Sequence, residues 1–144
     1  MREIRPEQVI NGSWGEVWID GDYVAEVTGL TATLEIEYED VNRPRKLGTA
    51  KKMMGYSGTG SVKLNKVTSR FIKLLSDNLK NGRQTSVDII SKLDDPDAVG
   101  AERIVIKNAT FENLSLANWE AKTKGEEEVN FSFDDWEPLD LIED

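Results

Sequence analysis

Carboxylates are the side chains most able to do chemistry in this chain. Asp and Glu number 27 against 18 Lys and Arg, and a glycosidase needs only two carboxyl groups at a suitable separation. Among so many acids some pair always meets that spacing, so the pattern has almost no specificity. The groups that usually complete an active site are missing. The chain has no His, hence neither the commonest general acid/base nor the commonest metal ligand. It has no Cys, hence no thiol nucleophile, thiolate metal site or disulfide framework. Asp94-Asp95-Pro96-Asp97 has a calcium-loop look but lacks the alternate ligand spacing and closing Glu of an EF-hand, so it reads as a polar turn. Gly55, Gly58 and Gly60 are spaced G-x-x-G-x-G. A phosphate cradle needs G-x-G-x-x-G between a strand and a helix, and here a strand follows, so a flexible loop is expected. Three glycosylation sequons, at Asn11, Asn108 and Asn113, have no use without secretion. No catalytic residue, metal or cofactor is expected.

The elements that would carry these residues are mostly strands. Ala32, Leu34, Ile36 and Tyr38 alternate with Thr31, Thr33, Glu35 and Glu37, the pattern of a strand with one buried face. Val62 and Leu64, Val87 and Ile89, Ile104 and Ile106, and Val129, Phe131 and Phe133 repeat the period of two. Phe111, Leu114 and Leu116 change phase, predicting a bulge near Asn113. Asp20-Gly21 predicts a type I′ hairpin. One segment has helical spacing: Phe71, Ile72, Leu75 and Leu79 within 68–80, with Thr68 or Ser69 as N-cap and Asn81-Gly82 as the stop. The fold expected is mainly β, a sandwich or barrel with one flanking helix, in one domain over 1–144.

Charge is distributed unevenly. The net charge is −9 over 144 residues, which opposes phosphate binding as the main activity. The stretch 40–60 is expected to be a long loop and holds Arg43, Arg45, Lys46, Lys51 and Lys52. Removing those five positive charges from −9 leaves −14 on the rest. An acidic C-terminal arm is expected over 134–144, with Asp134, Asp135, Glu137, Asp140, Glu143 and Asp144 around Trp136. A basic loop and an acidic body are self-complementary, which suits head-to-tail contact between copies. Trp18 is expected in the core, and Trp14 and Trp136 at interfaces. Apolar runs are far below the roughly 20 residues of a membrane span. Met1-Arg2-Glu3-Ile4-Arg5-Pro6 has no apolar h-region, so a soluble protein made and kept in a cytoplasm is expected.

The run Asn11-Gly12-Ser13-Trp14-Gly15-Glu16-Val17-Trp18-Ile19-Asp20-Gly21 resembles the N-terminal strand and hairpin of tail tube proteins from contractile-tailed phages, in particular those of PBSX-type defective prophages and the skin element of Bacillus. Lys51 to Gly60, the strand from Ser61 to Val67 and the helix start at Thr68-Ser69-Arg70 fit the same layout. The resemblance implies a β-sandwich or barrel flanked by a helix, assembling into hexameric rings that stack into a hollow tube. It implies sheath, tape measure and baseplate proteins as partners. DNA would pass through without specific binding, and the protein would reside in a virion tail put together in the host cytoplasm. Arg43, Arg45, Lys46, Lys51, Lys52, Trp14 and Trp136 would then lie at subunit contacts, and Glu35, Glu37 and Glu39 would line the lumen. The competing readings are a carbohydrate- or protein-binding β-sandwich module that uses exposed Trp, and a small carboxylate hydrolase.

Overall fold

The structure is a computed structural model that describes residue 3 and residues 5–143. Met1, Arg2 and Ile4 of the N-terminal stretch and Asp144 of the acidic tail lie outside the described residues. Two short 3-10 turns, Pro6–Gln8 and Gly12–Trp14, lead into β1 (Gly15–Ile19) and β2 (Asp22–Tyr23). Asp20 and Gly21 take positive φ values of 51° and 86° between them, the type I′ geometry that the dipeptide favours. Two long strands follow, β3 (Val27–Val41) and β4 (Ala50–Asn65), then the helix α1 (Arg70–Lys80). The chain closes with β5 (Ser86–Leu93), β6 (Glu102–Phe111), β7 (Glu126–Phe133) and β8 (Asp135–Asp140).

All pairings are antiparallel. The spatial order is β2-β1-β5-β6-β7-β4-β3, with β8 paired to β6 beside this path. The sheet coils until its two sides approach: Gly15, Glu16 and Val17 of β1 share a cleft with Val27, Thr28 and Gly29 of β3. No ladder joins those two strands among the described residues, so the barrel stays open. The inward positions of β1, β4, β5, β6 and β7 form one core: Val17, Ile19, Val62, Leu64, Val87, Ile89, Ile106, Val129, Phe131 and Phe133. These are mostly the residues that the period of two marks. Trp18 does not join them. It is half-buried on the other face of β1, its ring 5.4 Å from that of Tyr23, because Val17 and Ile19 take the inward positions.

Helix α1 closes one end of the barrel. Phe71 is fully buried and meets Phe111 edge-on at 5.2 Å, and Phe111 meets Phe131 at 6.4 Å. Ser69 holds the N-cap position without a side-chain capping bond; Arg70 secures that end instead, its Nε 3.0 Å from Glu26 Oε1. Gly82, at φ 69°, turns the chain out of the helix, and Arg83 N–H donates to Asn78 O at 2.7 Å.

Three expectations are corrected. The irregularity of β6 is not at Asn113. It lies at Asn108, with φ 56° and N–H donating to Asp88 Oδ1, where the β5–β6 register shifts. The phase change after Phe111 marks the end of the strand. The segment 40–60 is not one long loop: β3 and β4 pair from Val27 opposite Leu64 out to Val41 opposite Ala50, which confines the irregular stretch to 42–49. The glycines that suggested a loop sit inside β4, and aromatic rings lie over two of them, Gly58 and Gly60. A Cβ at Gly58 would stand 2.6 Å from the Phe133 ring, and one at Gly60 would be 2.5 Å from that of Phe131. The acidic C-terminal segment is not a free arm, since β8 pairs with β6 from Arg103 to Lys107. Lys107–Glu137 at 3.1 Å and Arg103–Asp140 at 3.4 Å join the same two strands.

Candidate functional site

The site is the part of the β3–β4 hairpin that leaves the body. Strand β7 pairs with β4 only from Asn65 to Gly58. Beyond that point Ala50–Ser57 has a single neighbour, β3, and the two continue as a two-stranded ribbon for about 25 Å, at ~3.3 Å per residue. Both of its edges carry unpaired backbone groups.

The two faces of the ribbon differ in chemistry. Register places Leu34 opposite Gly58, Ile36 opposite Tyr56 and Tyr38 opposite Met53. Directly opposed residues share a face, so this face is apolar. It is also uncovered: Ile36 is 49% exposed, Tyr38 54% and Met53 56%. The half-buried strand expected over 31–38 is therefore covered only in part, at Leu34, with Leu30 half-buried just before it. The same face runs on into an apolar cleft of about 350 Å³, lined by Leu30, Leu34, Ile104, Ile106, Phe133 and Trp136. Trp136 reaches this cleft from β8 and meets Tyr56 edge-on at 5.3 Å.

The opposite face is polar. Glu35 stands opposite Ser57, Glu37 opposite Gly55 and Glu39 opposite Lys52, with Thr33 and Thr59 nearer the body. β7 continues that face with Ser132 opposite Thr59 and Asn130 opposite Ser61. All three glutamates are exposed.

The five basic residues divide into two groups. Lys51 and Lys52 are on β4, opposite Asp40 and Glu39 in register, where cross-strand acids offset them. Arg43, Arg45 and Lys46 occupy the tip, with Arg45 at φ 63° and a fully exposed Leu47 beside them. None of the three forms an ion pair among the described residues. Trp14 is half-exposed on its 3-10 turn and belongs to neither group. The Asp94–Asp97 segment is a polar turn: Asp95 accepts from Asn11 N–H and Asp97 N–H, tying down the chain before β1. No cluster of potential metal ligands occurs among the described residues.

One region was not singled out as functional in the sequence, the connection 112–125 between β6 and β7. It exposes Leu116 and Trp119, the latter at 86%. Behind it Glu127 is buried, with Oε1 3.1 Å from Lys66 Nζ and Oε2 lacking a hydrogen-bond donor among the described residues. The length of the connection was the available clue, since such stretches in compact folds are commonly functional.

Comparison with known proteins bears on this geometry. A family model described as phage tail tube protein matches residues 2–140. The phage-like element PBSX protein XkdM of Bacillus subtilis (strain 168) is 29% identical over 143 residues, covering 98% of this chain and 97% of its own. Among solved structures, a chain from the sheath–tube complex of an extracellular contractile injection system in the extended state superposes with a TM-score of 0.66 at 14% identity, covering 94% of this chain and 95% of that one. A chain from the tail of an empty gene transfer agent particle, determined with C6 symmetry, gives 0.53 at 12% identity, covering 90% of this chain and 98% of that one. At these identities the structural likenesses establish the fold.

Proposed function

The chain belongs to the phage tail tube protein family, and from that premise we propose that it is the non-enzymatic subunit of a hollow tube of stacked six-membered rings through which DNA passes. The observation that carries this reading is the ribbon. A two-stranded ribbon is marginal in water by itself, and this one leaves Ile36, Tyr38 and Met53 uncovered. It becomes stable when its edges and apolar face meet other copies. Contact between one copy's ribbon and a different surface of the next is heterologous, and such contacts generate rings and open stacks. The tail with C6 symmetry is the basis for choosing six.

Glu35, Glu37 and Glu39, with the hydroxyls beside them, face the lumen in this reading. A carboxylate lining repels phosphate and keeps DNA from adhering. Arg43, Arg45 and Lys46 at the tip, with Lys51, Lys52, Trp14 and Trp136, contribute to contacts between subunits or rings. Sheath, tape measure and baseplate proteins are the partners, the virion tail is the location, and assembly takes place in the host cytoplasm.

Negative-stain electron microscopy across a concentration series, with and without a baseplate seed, tests the reading. Hollow rods with six-fold end views are expected. Arg45→Glu with Lys46→Glu should keep the monomer's melting temperature and remove the rods; normal rods from that variant would exclude the tip from the contacts. A map of the rods with Glu35 and Glu37 on the outer surface would overturn the lumen assignment.

A further inference from the structure

We infer that the tip of the ribbon docks in the cleft beneath the 112–125 connection of a second copy, with the Arg45 guanidinium meeting the Glu127 carboxylate. The inference rests on the tube reading above and names the surface that receives the tip. The cleft measures about 310 Å³ and is lined by Lys66, Ser115, Leu116, Asn118, Trp119 and Glu127. Glu127 is only 4% exposed, and Lys66 answers one of its oxygens. The other oxygen, Oε2, is buried without a donor among the described residues, and so is Oδ1 of Asn65, the residue before Lys66. Two buried acceptors at one end of β4 are therefore short of donors, an arrangement that costs free energy until donors arrive.

The tip supplies them. Arg45 offers five N–H donors in a planar fork suited to a carboxylate, and it has no ion-pair partner among the described residues of its own copy. Leu47, fully exposed next to it, brings an apolar side chain to the wall formed by Leu116 and Trp119, and the Trp119 ring suits a guanidinium on its face. The acids of β8 are weaker candidates as acceptors, because Lys107 and Arg103 already engage Glu137 and Asp140 at the surface. Position agrees with chemistry. The tip precedes the first residue of the 16-residue strand β4 and Lys66 follows its last, which puts them about 50 Å apart. Donor and acceptor surfaces at opposite ends of one molecule cannot satisfy each other within a copy. They form a head-to-tail contact that propagates as an open stack. Glu127 Oε2 is sealed beneath the connection, so the 115–119 wall lifts as the tip enters. That wall lies outside the sheet ladder.

The absence of native cysteine makes the test direct. Gly48→Cys, where an added side chain meets open space, with Glu120→Cys on the exposed connection leaves Arg45, Lys46, Glu127 and Trp119 in place. Rods of this variant, grown on a baseplate seed and treated with a short bis-maleimide, should give a ladder of dimer, trimer and higher species on a denaturing gel. The dimer should exceed that of either single-cysteine variant at least tenfold. A second variant, Trp119→Ala, changes an exposed side chain, so it should melt with the parent while raising the subunit concentration needed for rods by about tenfold. Rods without a ladder, or a Trp119→Ala variant that assembles at the parent concentration, would overturn the docking site and leave the tube reading intact. If the unaltered chain gives no rods even with the seed, the tube reading falls and this inference with it.

Discussion

The body and the ribbon are built from the same two strands and obey opposite rules. Within the body, β4 lies between β3 and β7 and sends Val62 and Leu64 into a core where Val129 and Phe131 meet them. Beyond Gly58 the same strand has one neighbour, and its side chains face water on both sides. The amino-acid types hardly change: Ile36, Tyr38, Met53 and Tyr56 are as apolar as their counterparts in the body. What changes is whether this chain supplies the covering surface. Any burial of the ribbon's apolar face would have to come from outside the subunit, so in the proposed reading folding and assembly are separable.

Substitutions in the two regions can break that separation or sharpen it. The largest effect should come from Phe131→Ala, which removes a fully buried ring touching Phe111 and Phe133. A loss of about 3–5 kcal/mol in denaturant unfolding is expected. Gly60→Val should follow. Its side chain would have to displace the Phe131 ring and crowd the backbone of Thr31, which costs about 1–3 kcal/mol by the same measurement. The ribbon counterpart, Ile36→Ser with Tyr38→Ser, should change monomer stability by no more than about 0.5 kcal/mol while abolishing rods. A large loss of monomer stability from that pair would mean that the ribbon is held by its own chain and that the distinction is false.

The smallest effect concerns acid. Burial alone would raise the pKa of Glu26, but the hydrogen bond from Arg70, a backbone hydrogen bond and the Arg70 charge together hold it below the ordinary carboxylate value. A depressed carboxyl pKa contributes stability that is fully present above the unfolded value, about 4.3, and is lost as pH falls through the folded value. Thermal melts between pH 6 and pH 2 should therefore show a steeper acid loss for the parent than for Glu26→Gln. Because Glu26 and Arg70 pin helix α1 to the body, assembly of already folded subunits at neutral pH should differ little between the two.

Much of the body was legible from residue order. The period of two at Val62/Leu64, Val87/Ile89 and Val129/Phe131/Phe133 marks inward positions because alternate side chains of a strand face opposite sides. Asp20-Gly21 and Asn81-Gly82 were legible because Asp20, Gly21 and Gly82 take left-handed conformations that suit few residue types. The ribbon was misjudged for the converse reason. Gly55, Gly58 and Gly60 signal a loop in local statistics, and only the Phe133 and Phe131 rings, some 70 residues away in sequence, explain why β4 needs Gly58 and Gly60. The C-terminal acids suggested a free arm because the Lys107 and Arg103 that meet them are on another strand.

The sequence by itself determined a β-rich fold with one helix, the absence of thiol and imidazole chemistry, and a basic cluster set against an acidic chain. These follow from composition and from periods that span a few residues. Only the tertiary structure decided that β3 and β4 outrun the sheet, that the three basic residues of the tip stand apart from the two lysines offset by acids, and that Glu127 is buried with one oxygen unanswered among the described residues. Each of these depends on which distant residues arrive alongside, and a local pattern does not encode its neighbours in space.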